Sequence, residues 1–494
     1  MNQKLKYSIL FILFILSIIL RITIGPLQTF SDDESYYTLR QLESIQNTGK
    51  LLYNDELSYS GRQTVISPAF YYILAFFSIF LMDNYLIIIT AIFASLTVFI
   101  IYLISQKITK NSSIAILVST MSIFIPVYLI NTTNTLSPIT LSIPLSLYTL
   151  YLFSNIKTKK DISFFIGFFT LLCITSALSL LVTITIILFL LTMKIEQIKI
   201  KPLQKEIAIF SIFVAIWSQI LIYKNAFLIH GPGIIWQNLP QELYLQNFAE
   251  INILKIIYFV GVVPFSVALY IIYKKAFSTK EDYIYLYGSL TAITTLMLVF
   301  RLIELQIGLI YLGFCFIIFF GIFIKNFIKY IEKTKLNNYK QIIIGIIIFI
   351  FLISGVIPSI ALINNQTKIP PHIIDAMQWI KENTNEDSII LGTISEGHLI
   401  SSIARRKNVI DGNFLMINDI DQRIIDIRNI YISPSVVKAI ELAEYYNIDY
   451  ILFDNAKNDY RISNLRYEND ECFKKVYNNI SQIYQVLCKV EIFD

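Results

Sequence analysis

Apolar stretches of about 18 to 22 residues recur along this chain of 494 residues, each long enough to cross ~30 Å of hydrocarbon as a helix. Lipid offers backbone groups no hydrogen-bond partner, so such segments fold as helices that satisfy their own N–H and C=O groups. Composition agrees: 55% of residues are hydrophobic and 15% charged, against about 25% charged in soluble domains. The chain reads as a polytopic α-helical membrane protein, which excludes a soluble enzyme and a nucleic-acid-binding module. Eleven candidate spans fall near 7–25, 84–105, 113–130, 136–154, 162–176, 178–193, 206–223, 254–273, 283–300, 305–324 and 341–362. The first run is long for a signal-peptide core and lacks a small-residue cleavage site, so it reads as a retained span.

Orientation follows from the lysines, because short cytoplasmic loops are enriched in Lys and Arg. With Lys4 and Lys6 inside, alternation places nineteen lysines in inside segments, from Lys107 and Lys110 to the cluster Lys325–Lys340. The outside segments before the tail hold only Arg21, Arg40, Lys50, Arg62, Lys224, Lys255 and Arg301. This predicts an N-in, C-out integral protein of the cell membrane, with the active site and C-terminal domain on the extracytoplasmic side. It rests on one choice: SPAFYYILAFFSIFLM (67–82) is short and led by Pro68, and reads as a helix in the outer interface rather than a span.

Two outer segments then stand out. The first, 26–83, carries seven acids against three bases. The second, 224–253, contains Gly231-Pro232-Gly233 and many aromatics, which suggests another loop with an interfacial helix. Residues 1–365 form the membrane part. From 366 onward, Pro370-Pro371, an amphipathic run through Trp379 and short apolar runs at 388–391 and 450–453 predict a small α/β domain on the outer face. Cys173 and Cys315 lie in apolar runs, whereas Cys472 and Cys488 in the tail could pair or stay free.

FSDDESYY (30–37) is the densest chemical signal. Ser31 before acids favours a helix N-terminus, whose dipole attracts carboxylates. The triplet Asp32-Asp33-Glu34 also follows the first span closely. Adjacent carboxylates at a low-dielectric boundary raise one another's pKa, as suits a base that takes a proton from a hydroxyl or amide. Phosphate recognition would need cations, and Arg301, Arg62 and His230 are the candidates. For Arg301 the competing role is an anchor paired with Glu304. The three histidines have no metal-ligand spacing, and no Gly-rich phosphate loop, HExxH or GxSxG occurs.

Asp33-Glu34-Ser35-Tyr36-Tyr37 fits D-E-x-x-Y, followed by a segment bearing Gly49 and the Pro68-led aromatic helix. This order resembles the GT-C glycosyltransferases, especially the branch of protein O-mannosyltransferases and aminoarabinose transferases. The resemblance implies a sugar donor on a polyprenyl phosphate and an acceptor (protein, lipid or glycan) entering from outside. It implies Asp33 as catalytic base, with Asp32 and Glu34 beside it and Tyr37 near the substrate. It also allows a divalent ion, Mg or Mn, on Asp32. Ile66-Ser67 stands where a basic residue often precedes the Pro-led helix. The stretch 379–411 is similar to the segment after the last span in oligosaccharyltransferase-type proteins, through Trp379, Gly397-His398 and Ala404-Arg405-Arg406. Thr393-Ile394-Ser395-Glu396 replaces that family's Trp-Trp-Asp-Tyr acceptor motif, and His398 and Arg405 are expected to serve the domain's structure.

A lipid or small-molecule transporter is the rival class. It would place ionisable or Gly/Pro-broken helices at mid-membrane, often in related halves. Here the span interiors are almost free of charge and no hydropathy repeat is visible.

Overall fold

The computed structural model describes residues 3–23, 29–81, 85–249, 252–275, 282–365, 369–469 and 471–489. Among the described residues, the expected span segments are largely helical. The membrane part comprises α1 (Gln3–Thr23), α2 (Glu34–Thr48), α3 (Ala69–Ser78), α4 (Leu86–Ser95), α5 (Thr97–Thr109), α6 (Ser112–Ile123), α7 (Pro126–Ile130), α8 (Ile139–Asn155), α9 (Lys159–Thr175) and α10 (Leu178–Ile195). It continues with α11 (Pro202–His230), α12 (Gln241–Tyr244), α13 (Ile253–Val260), α14 (Val262–Lys275), α15 (Asp282–Val299), α16 (Leu305–Ile331) and α17 (Lys340–Asn365). Among the described residues, six helical stretches are long and apolar enough to cross a membrane: 3–22, 86–109, 178–195, 202–236, 305–331 and 335–364.

Two expected spans are broken. The 113–130 run divides before Pro126, whose ring and missing N–H bar it from a helix interior, so it opens α7 instead. The 254–273 run divides at Gly261, which adopts φ +97° between α13 and α14, a conformation that favours glycine. The second outer segment also differs from expectation: α11 runs on to His230, and a 3₁₀ turn over Gly231–Trp236 follows.

Helix α16 is the hub. Its window is 89% buried, against 19% for the window containing α17. Close approach explains this: a Cβ on Gly308 would meet Leu298 at 2.5 Å, and one on Gly321 would meet Val118 at 2.8 Å. Small residues let helices pack closely where lipid provides no hydrophobic drive. Helix α3 starts after Pro68, turns Phe70 and Leu74 inward, and leaves Tyr72 and Phe76 exposed.

The tail begins with α18 (Pro371–Asn383) and builds a five-stranded sheet from β3 (Ile389–Leu391), β4 (Lys407–Asn408), β5 (Tyr450–Phe453), β6 (Phe473–Asn478) and β7 (Gln482–Val486); β1 (Asn54–Asp55) and β2 (Arg62–Gln63) form a separate antiparallel pair in the first outer segment. The sheet order is β4-β3-β5-β7-β6, with β3 parallel to β4 and β5, and β7 antiparallel to β5 and β6. Helices α20 (Ile420–Ile432) and α21 (Val436–Tyr445) follow α19 (Gly397–Leu399). One apolar cluster runs unbroken from the spans through Tyr37 and Leu42 to Ile373, Leu399 and Ile400, so the tail shares its core with the membrane part. A second cluster on the other side of the sheet takes in Tyr59 from the first outer segment. Cys472 and Cys488 form a disulfide, a bond that persists in oxidising compartments.

Candidate functional site

Three acids at the start of α2 point three ways. Asp32 Oδ1 accepts the backbone N–H of Ser35 at 3.2 Å and the Ser35 hydroxyl. Asp32, not Ser31, therefore does the capping expected of the serine. Ser31 instead donates its hydroxyl to the carbonyls of Thr133 (3.1 Å) and Asn134 (3.2 Å), and its N–H to Asn134 at 3.0 Å. Asp33 turns to the tail: Oδ1 accepts the N–H of Leu399 at 2.9 Å and Oδ2 that of His398 at 3.2 Å. Glu34 is left exposed.

The segment 131–137 (NTTNTLS) clamps this turn from the membrane side. Besides holding Ser31, it sends the Leu136 N–H to the Ser35 hydroxyl at 2.8 Å and receives the Thr38 hydroxyl on the Leu136 carbonyl at 2.9 Å. Behind it lies Arg21, fully buried on the last turn of α1, donating Nε to Thr132 Oγ1 at 3.0 Å. Neither feature was picked out in the sequence. The signal was present in the run of six polar residues among Asn131–Thr135 and Ser137 between apolar segments, and in an arginine inside an apolar run.

Electrostatics separates the acids. Burial pushes Asp33 well above the ordinary carboxylate range, with Asp411 and Asp32 adding to it and the His398 and Leu399 amides opposing. Burial likewise raises Asp32 against its bonds to Ser35. Glu34 is pushed up to about 7, by desolvation first and then by Asp32 and Glu304. Glu304 is near enough to add to that rise, is itself raised by burial, and accepts Gln237 Nε2 at 3.0 Å.

The remaining expected residues separate. Arg301 makes no ion pair with Glu304 among the described residues; it is exposed, adopts φ +57°, and its carbonyl accepts Trp236 Nε1 at 2.8 Å. Arg62 is buried against the tail, 3.4 Å from Asp411 and 5.3 Å above the Tyr59 ring, with a bond to the Asn413 carbonyl. That engagement leaves it poorly placed to grip phosphate. His230 Nε2 lies 2.6 Å from the Leu415 carbonyl, another docking contact. Tyr37 is buried with its ring 5.1 Å from that of His398. No three His, Cys, Asp or Glu side chains come together as a metal-holding group among the described residues, Asp32 included.

Asp411 organises the joint between first outer segment and tail. It takes bonds from the Ser58 hydroxyl, Asn408 Nδ2 at 3.2 Å and the Asn413 N–H at 2.9 Å, while the Tyr59 hydroxyl donates to its carbonyl at 2.7 Å. Burial alone would raise its pKa, but His398, Arg62 and the bonds from Ser58 and Asn413 outweigh burial and lower it. On the same segment, Arg40 grips Asp55 with two bonds of 2.5 and 2.7 Å. The acidic turn that opens α2 is thus held between segment 131–137 and the tail.

No protein-family model and no curated protein matches the sequence. Solved structures do. The apo oligosaccharyltransferase of Archaeoglobus fulgidus superposes with a TM-score of 0.70 at 12% identity, over 92% of this chain and 70% of that one. Its form with an inhibitory peptide and a dolichol-phosphate, AglB, gives 0.66 at 13% identity over the same shares. ArnT from Cupriavidus metallidurans bound to undecaprenyl phosphate gives 0.55 at 9% identity, over 97% of both chains. At these identities the likeness is one of fold, shared with both the archaeal enzyme and ArnT. The narrower branch is not singled out, since the archaeal enzyme overlays with the higher score.

Proposed function

We propose that this chain is an integral membrane glycosyltransferase that moves a sugar from a polyprenyl-phosphate donor to an acceptor on the outer face. The observation that carries the reading is the acidic turn at Asp32–Glu34, just beyond the first apolar helix and clamped from two sides, in a fold shared with ArnT bound to undecaprenyl phosphate. Asp33 is the proposed base. Each of its oxygens accepts one amide and keeps a second lone pair. It takes the proton of an acceptor hydroxyl or amide while that atom bonds to the anomeric carbon. The bond from that carbon to phosphate oxygen breaks, and polyprenyl phosphate leaves with the electron pair.

Arg301, exposed and three residues from Glu304, whose charge reaches Glu34, is the proposed phosphate contact, in place of Arg62. Lysine-rich inner loops and the tail disulfide support an outward-facing site. A second assignment of the base has its own support: Glu34 is exposed and titrates at about 7, a value suited to a general base near neutral pH. The test is to purify the protein, identify its co-purifying lipid by mass spectrometry, and assay sugar transfer in liposomes. A bound polyprenyl phosphate and transfer support the reading; lipid translocation without transfer would mark a transporter instead.

A further inference from the structure

Arg21 has an expense without a visible return. It is fully buried, donates one Nη to the Ser17 carbonyl at 3.0 Å and hydroxyl at 2.6 Å, and lies 5.3 Å over the Tyr128 ring. Its other terminal nitrogen, Nη2, has no partner, and no carboxylate pairs with it among the described residues. A buried guanidinium held only by neutral groups is costly in a membrane helix. A purely apolar side chain would pack the same place with less penalty.

What the cation reaches explains its presence. Its Nε holds Thr132 Oγ1, and Thr132 is the second residue of the 131–137 segment. The next two carbonyls, of Thr133 and Asn134, receive Ser31. Four residues on, the Leu136 N–H fixes the Ser35 hydroxyl, which is the partner of Asp32. Ser17, Arg21's other anchor, accepts the Ser95 hydroxyl at 2.9 Å and so ties α1 to α4. The direct chain path from Arg21 to the acids runs through residues 24–28, outside the described residues; the described route is through Thr132.

We propose that Arg21 is a positioning residue: by anchoring Thr132 it sets the 131–137 segment, and through Ser31 and Ser35 it fixes where Asp32, Asp33 and Glu34 stand. The catalytic consequence rests on the function proposed above, whereas the anchoring does not. The two are tested separately on the full chain in nanodiscs. Hydrogen exchange of peptides covering 29–38 is compared for wild type, Arg21→Met and Thr132→Val. Both variants are expected to speed exchange there by about tenfold or more, with strands 450–453 and 482–486 unchanged. Unchanged exchange at 29–38 in Thr132→Val, which keeps the cation, overturns the proposal even if Arg21→Met does not fold.

The kinetic arm uses a radiolabelled polyprenyl-phosphate sugar. Misplaced acids are expected to lower kcat by about tenfold to a hundredfold with KM for the donor nearly unchanged. A raised KM with kcat kept would make Arg21 a donor-binding group and overturn the positioning role. If wild type transfers no sugar, the function proposed above fails, while the exchange result still decides the anchoring.

Discussion

Asp33 Oδ1 accepts the Leu399 N–H at 2.9 Å, a bond between residues 366 apart in sequence. With the neighbouring His398 amide it ties the proposed base to the first turn of α19. The tail therefore senses the state of that carboxylate. A buried amide that loses its acceptor costs about 1 to 3 kcal/mol. Asp33→Ala is expected to raise hydrogen exchange at His398 and Leu399 selectively, leaving the 450–453 strand protected. Equal protection in the variant would show that the tail docks without Asp33.

Asp411 and Arg62 form the buried ion pair of the same joint. Removing one partner of a buried pair strands the other charge, at a cost of about 3 to 5 kcal/mol. Asp411→Ala should lower the unfolding temperature markedly, and Asp411→Ala with Arg62→Met should recover part of the loss. Thermal unfolding in detergent measures both.

His398 gives the joint a pH dependence. Burial, the largest influence, lowers its pKa to about 4, with Arg62 and Arg40 helping and Asp411 and Asp55 opposing. The folded value lies below the ordinary histidine value of about 6.5. Its contribution to stability is therefore complete above about 6.5 and is lost as pH falls toward about 4. His398→Asn should flatten that part of the stability profile, read as unfolding temperature against pH.

Activity should respond to pH in the same sense as with a simple carboxylate base, but over a higher range. Glu34, raised to about 7, must lose its proton to act as base, so transfer through it would rise with pH across neutrality. Glu34→Gln would abolish that limb if Glu34 is the base. If Asp33 is the base, transfer survives in Glu34→Gln and its acidic limb moves down, because a neighbouring negative charge is gone. A pH–rate profile of the two proteins distinguishes the assignments.

Apolar run length was enough to locate the apolar helices of the membrane part but not the mostly polar α2, and Pro126 was a readable break within one run. The acidic turn was equally legible as a cluster. What surrounds it was not, because hydropathy says nothing about which loop's polar groups meet. Ser31 read as a cap by local rule, yet a carbonyl 103 residues away took its hydroxyl and Asp32 did the capping. Arg62 read as a loop cation free for phosphate until Asp411, far along the chain, claimed it. Arg21 counted only as an outside charge; its place inside an apolar run was a local sign of burial, but nothing local names Thr132 as its partner.

The most direct test of the account compares sugar transfer by wild type and Asp33→Asn in liposomes loaded with a polyprenyl-phosphate-linked sugar, at equal incorporation. The account predicts a loss of about two to four orders of magnitude in rate, the usual contribution of a general base, with the donor lipid still bound. Transfer at the wild-type rate by Asp33→Asn would contradict it.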